Sequence, residues 1–179
     1  MSDNENVDTR NLVDKYKFWD NDDIKADMQK NARPFEIAVE NLERDFNVGS
    51  IIRSANAFGA RAFHTVGRKS INRRGAMVTD KYINMNHFES VDAFRAYADK
   101  NGAVILGIDI FEGVSEPIEK FVFPKNPILF FGSESDGLSA AAQDVCSRIL
   151  HISQFGSTRS INVGAAAAVA MYALSLQLN

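Results

Sequence analysis

The sequence predicts an α/β domain built on a mostly parallel sheet flanked by helices. Three observations carry that expectation. Strand-like apolar runs alternate with helical stripes, roughly every 25–30 residues. Two of those runs, AVILGIDI at 103–110 and PILFFG at 127–132, are almost continuously apolar, as strands buried on both faces are. Residues suited to turns and caps, among them Gly59, Ser90 and Gly102, stand at the junctions.

Taken in order, residues 1–33 read as a short acidic arm and 34–179 as one domain. In the arm, Asp20, Asp22 and Asp23 precede Ile24 and Met28, which predicts a short helix behind an Asp cap. Tyr16, Phe18 and Trp19 are expected to pin the arm to the body. After Pro34, the alternation of Phe35, Ile37 and Val39 predicts a strand. Asn47 is placed as a helix cap, followed by the stripe Ile51, Ile52, Ala55 and Phe58. Arg53 lies on this helix and is expected to face the same cleft as Asn47. AFHTVG (62–67) and YINMNHF (82–88) are the next strands, joined by the basic loop 68–81. Ser90 caps a helix with the stripe Val91, Phe94 and Tyr97/Ala98. A loop at 112–126 leads to the strand at 127–132, then to a turn and a helix. A last strand (Ile149, Leu150, Ile152), a polar turn at 154–159 and an Ala-rich helix close the chain. Ligands of such sheets bind at the carboxyl ends of the strands. Asn47, Gly132–Gly137 and Gln154–Asn162 all fall there.

The 179 residues, 45% apolar and 24% charged, suffice for one full core. A single cysteine, Cys146, excludes an internal disulfide, and it reads as a small buried residue. No apolar run approaches about 18 residues and no signal-like segment opens the chain. A cytoplasmic protein without a membrane partner is therefore expected. The net charge is −3, but residues 53–81 carry seven basic residues against the single acid Asp80. That local excess of six positive charges, on a remainder of −9, predicts one docking place for a polyanion.

Dinucleotide, P-loop and nucleophile-elbow patterns are absent. His64, His87 and His151 lack metal-ligand spacing, so no metal is expected. Three stretches stand out together: NVGSIIRSANAFGA (47–60), LFFGSESDGL (129–138) and HISQFGSTRSINVGAAAAVAMY (151–172). They resemble, in order and across about 34–178, the three signature motifs of the SpoU (TrmH-like) branch of the SPOUT RNA methyltransferases. The resemblance implies a deep trefoil knot in the C-terminal part and a homodimer. It implies S-adenosylmethionine as methyl donor and RNA ribose 2′-hydroxyls as acceptors. Composition gives no hint of a knot, and ordinary topology rules argue against one.

Carried over by position, the resemblance assigns Asn47, Arg53, Glu134, Ser160 and Asn162 to catalysis. It assigns Gly132, Glu134, Gly137, Ile152, Gln154, Ser160 and Ile161 to the cofactor. Two departures stand out: Ser153 replaces a frequent Pro and is expected to loosen the loop, and Gly164 replaces a polar residue. Arg61, Arg68, Arg73, Arg74 and Lys81 are the candidate RNA contacts. NRRGAM (72–77) and Arg159 look most like the branch that methylates a D-loop guanosine of tRNA. An rRNA 2′-O-methyltransferase and a non-catalytic RNA-binding protein of the same fold are the alternatives.

Overall fold

A computed structural model describes residues 10–68 and 79–178. The order of elements is α1 (Asn21–Lys30), β1 (Arg33–Glu40), α2 (Asp45–Ala57), β2 (Ala60–Val66), β3 (Asn84–Phe88), α3 (Val91–Lys100), β4 (Val104–Ile108), β5 (Glu116–Pro117), β6 (Pro127–Phe131), α4 (Ala140–Val145), β7 (Arg148–His151) and α5 (Val163–Ser175). Seven strands form one sheet in the order β3-β2-β1-β6-β4-β7-β5. Every pairing is parallel. The predicted α/β sheet is therefore present, with one short strand, β5, inside the stretch expected to be loop.

The strand pattern explains the layers. Along β6, Leu129 and Phe131 enter one core while Ile128 and Phe130 enter the other. The first core lies under α2 and α5 and contains Ile51, Ile52, Ala55, Ala167, Ala170, Met171 and Leu174. The second lies under α3 and α4 and contains Phe94, Ala98, Leu138 and Ala142. A strand covered on both sides cannot alternate apolar with polar, which is why PILFF reads as continuous. The small residues of α5 bring it close to α2: a Cβ on the buried Gly164 would sit 3.3 Å from Ser50 Oγ.

Local signals hold in part. Ser90 and Ser139 cap α3 and α4, accepting from Ala93 N–H and Ala142 N–H. Asp20 precedes α1 without a side-chain cap bond. Asn47 is not a cap either: α2 starts at Asp45, so Asn47 lies inside its first turn. Tyr16 and Trp19 pack edge to face at 5.6 Å, and Tyr16 O–H donates to Asp27 of α1. Phe18 is exposed, so the aromatic cluster braces the arm rather than fixing it to the sheet. Fixing falls to α1, through buried Ile24 and through Gln29, which bonds Arg61 O and Asn84 Nδ2. No described helix is long and apolar enough to cross a membrane.

Candidate active site at the carboxyl ends of the strands

All four central strands deliver a loop to the same edge of the sheet. The loops after β1, β6, β4 and β7 enclose a cleft of about 540 Å³. Its lining includes Asn47, Asp109, Phe111, Gly132, Glu134, Gly137, Ile152, Gln154, Ser160, Ile161 and Asn162.

A chain of hydrogen bonds ties the three motif segments together. Glu134 accepts from Asn47 Nδ2 at 2.7 Å and from the backbone N–H groups of Glu43 (2.8 Å) and Arg44 (3.1 Å). Asn47 Oδ1 accepts from Asn162 Nδ2 at 3.0 Å. Asn162 Oδ1 in turn accepts from Gly164 and Ala165 N–H, capping α5. Asn47 is 2% exposed and has both ends of its amide bonded, so its orientation is set. Burial pushes the Glu134 carboxyl upward, but the three N–H bonds outweigh it and hold the group below the usual carboxylate range.

Backbone geometry shapes the second loop. Ser133 and Gly137 exchange two backbone hydrogen bonds, of 2.9 and 3.1 Å, closing a tight turn. A Cβ on Gly132 would fall 1.9 Å from Gly137 C, so no other residue fits. Gly137 adopts φ +70°, the left-handed region that favours glycine. Two carboxylates unnoticed in the sequence hold this loop from below. Asp109 accepts from Leu138 N–H at 2.8 Å. Buried Glu40 accepts from both Ser139 N–H (3.0 Å) and Ser139 O–H (2.7 Å). Their positions just at the carboxyl ends of β4 and β1 were the available signal. In the third loop, Ser153 O–H donates to Glu119, so this departure tethers the loop instead of loosening it. The Gln154 Oε1 atom is buried and, among the described residues, has no hydrogen-bond partner.

Other assignments separate. Arg53 is exposed and does not line the cleft; it shares the outer face of α2 with Phe46 and Ala57, which corrects the expectation that it faces inward with Asn47. Arg61 opens β2, at the opposite end of the strands, and pairs with Glu36 at 2.6 Å and with Asn126. Glu36 also bonds His64 and Tyr97, so the Arg61 guanidinium sits at the edge of a polar cluster away from the cleft. Lys81 is exposed in the turn that enters β3, again at the amino ends. Arg68 is exposed at the carboxyl end of β2, on the cleft side. Arg73 and Arg74 lie outside the described residues. Cys146 donates to Ala142 O, and burial, with Glu40 nearby, pushes its thiol up to about 12. No group of three or more potential metal ligands occurs among the described residues.

The model of the SpoU rRNA methylase family matches residues 34–172. The chain belongs to that family. All three motif segments fall within the match, and residues 1–33 precede it. Among similar proteins is an uncharacterized tRNA/rRNA methyltransferase of Synechocystis, 30% identical over 177 residues, which cover 92% of this chain and 44% of the relative. One from Mycolicibacterium gilvum is 28% identical, with 92% and 54% covered. The chain thus spans about half the length of these two relatives. The tRNA (guanosine(18)-2′-O)-methyltransferase of Borreliella burgdorferi is 24% identical, with 88% and 75% covered. The fold is shared with the TrmH/SpoU tRNA modifying enzyme of A. aeolicus (TM-score 0.77, 18% identity, 88% and 81% covered). It is also shared with the SpoU methyltransferase AviRb of Streptomyces viridochromogenes in complex with AdoMet (TM-score 0.74, 24% identity, 81% and 58% covered).

Proposed function

We propose that this protein transfers a methyl group from S-adenosylmethionine to a ribose 2′-hydroxyl of RNA. The observation that carries the reading is the Glu134–Asn47–Asn162 bond chain, which joins the three SpoU segments around one cleft. The cleft suits the cofactor: Gly132 and Gly137 let backbone approach closely, Ile152 and Ile161 give apolar walls, and Gln154 offers an unused buried acceptor. Gly132, Glu134, Gly137, Ile152, Gln154, Ser160 and Ile161 would hold it.

S-adenosylmethionine supplies an already activated methyl group when bound. The protein must then hold the sugar oxygen in line and manage one proton. Alignment alone can contribute about 7–11 kcal/mol in favourable cases. Asn47 and Asn162 keep the rim rigid, and Ser160, exposed at the cleft, meets the substrate. The planar guanidinium of Arg53 suits the oxygens of a phosphate. On the outer face of α2, outside this cleft, it would hold a phosphate of the incoming RNA. Phosphate or water takes the proton.

A tRNA is the favoured substrate, with a D-loop guanosine suggested by NRRGAM and Arg159; the Borreliella relative is named as a tRNA guanosine(18)-2′-O-methyltransferase. Arg68 and the basic loop with Arg73 and Arg74 form the docking surface. A second copy of the chain is proposed to cover the stripe Ala165, Val169, Tyr172 and Leu176, exposed along one side of α5 and its C-terminal end. A trefoil knot in the C-terminal part belongs to the same reading. The test is Arg53→Ala. Methyl transfer to RNA is expected to fall at least 100-fold while cofactor affinity stays within about threefold. Retained turnover overturns the role given to Arg53.

A further inference from the structure

The loop that runs from β7 to α5 is one wall of the cleft, lined by Arg159, Ser160, Ile161 and Asn162. Phe155, in the same loop, does not line it. At 97% it is the most exposed large apolar residue among those described. Burying such a side chain contributes about 1.5–3 kcal/mol, which the fold forgoes here. The ring is nevertheless anchored. Just before it the Ser153 hydroxyl donates to Glu119, and the Gln154 side-chain oxygen is buried. The chain therefore holds an aromatic ring in solvent at the rim of the cleft, outside the space proposed for the cofactor.

Charge at the rim decides what such a ring meets. Arg44 and Arg159 line the cleft, are exposed, and make no side-chain bond to another described residue. The acids of the same rim are engaged. Glu134 takes three N–H bonds, Asp109 takes those of Ile110 and Leu138, and Asp136 accepts from Ser135 O–H. Arg68, exposed at the carboxyl end of β2, adds a cation on this side. Guanidinium groups left open in this way suit phosphate oxygens. The ring itself stands in a polar stretch, followed by Gly156, Ser157, Thr158, Arg159 and Ser160, unlike the contiguous apolar patch that a protein partner covers. A lone ring among cations suits an unpaired nucleobase, because single-stranded RNA is bound by stacking bases on aromatic side chains while cations track its backbone. Five residues separate Phe155 from Ser160, a span of at most about 17 Å at ~3.4 Å per residue. The base so held belongs to the methylated nucleotide or to a near neighbour.

We propose that Phe155 is a stacking platform for an unpaired base of the RNA substrate, with Arg44 and Arg159 holding the flanking phosphates. This rests on the ribose-methylation reading above and adds a residue that selects single-stranded over paired RNA. The test is filter binding of unmodified tRNA and rRNA at several salt concentrations, with S-adenosylhomocysteine affinity measured by calorimetry and oligomeric state by sedimentation. Phe155→Leu, which keeps an apolar side chain but no ring face, is expected to weaken RNA binding about tenfold. Phe155→Tyr is expected to stay within about threefold of wild type. Both should keep the wild-type salt slope, cofactor affinity and oligomeric state. Arg44→Gln with Arg159→Gln should lower the salt slope by about 1.4–1.8, as two lost phosphate contacts require. Wild-type RNA affinity in Phe155→Leu overturns the proposal. So does an equal loss of S-adenosylhomocysteine affinity, which makes Phe155 a support of the cofactor loop, or a fall in oligomeric state, which makes the ring a contact between copies of the chain. A wild-type protein that binds no RNA sinks the methyltransferase reading and this proposal with it, whereas RNA binding indifferent to Phe155 sinks only the platform.

Discussion

Replacing Asn47 by Asp tests the bond chain at the centre of the cleft. The substitution keeps shape but turns the donor Nδ2 into an oxygen 2.7 Å from Glu134 Oε1. Two carboxylates that relax to about 4 Å repel by about 4 kcal/mol at an effective dielectric near 20. Protonating one of them at pH 7, from an ordinary value near ~4, costs about 4 kcal/mol. Proton uptake therefore caps the loss, and solvent around half-buried Glu134 trims it to about 2–4 kcal/mol at pH 7. In the variant the folded state binds more protons than the unfolded state, so its deficit shrinks as pH falls, by up to about 1.4 kcal/mol per unit. In wild type the Glu134 carboxyl is depressed. Its contribution is complete above the unfolded carboxylate value near ~4.3 and is lost only as pH falls through the folded value. Wild type should thus stay flat between pH 5 and pH 8 in respect of this group, while Asn47→Asp converges on it toward pH 5. Asn47→Ala, which adds no charge, should lose about 1–3 kcal/mol with no such slope. Urea denaturation across that range is the assay. Parallel curves for wild type and Asn47→Asp would mean that Asn47 and Glu134 do not touch in solution.

Three further perturbations probe the scaffold. Gly132→Ala should break the 132–138 turn, because its Cβ has no room, and reduce S-adenosylhomocysteine affinity by at least tenfold; calorimetry that finds wild-type affinity would refute the tight turn. Glu36→Ala leaves buried His64 and half-buried Arg61 without their carboxylate and should cost about 3 kcal/mol in urea denaturation. Burial pushes the Glu36 carboxyl up, but His64 and Arg61 outweigh that and depress it, so the gap between wild type and variant should narrow only as pH falls through that depressed value. Cys146, with its thiol raised to about 12, should react with a thiol-labelling reagent at pH 8 many times more slowly than after denaturation.

The sheet was legible because burial on both faces leaves a mark that needs no partner to be seen, as in PILFF and AVILG. The cap of α3 by Ser90 was legible because the cap and its target, Ala93, lie three residues apart, whereas the Ser139 cap of α4 went unread. Asn47 was harder. Its side chain meets Glu134 and Asn162, 87 and 115 residues away, and only the motif resemblance linked the three. Arg61 looked like one more cation of the basic stretch 53–81, but its partner Glu36 is on the neighbouring strand and appears only with the β1–β2 register. Arg53 was misdirected by treating Asn47 as a cap. With Asn47 inside α2, six residues of helical rotation turn Arg53 to the outer face. The supports Glu40 and Asp109 went unread because a lone acid at a strand end looks like any solvated turn residue until the loop it holds is in view.

The most direct measurement is nucleoside mass spectrometry on RNA treated with this protein. Purified protein, S-adenosylmethionine and unmodified tRNA or rRNA are incubated, and the RNA is digested to nucleosides. A new methyl group carried on the ribose, with tRNA the better acceptor, is the predicted result. Methyl groups found only on bases, or none from a folded protein that binds the cofactor, would contradict the account.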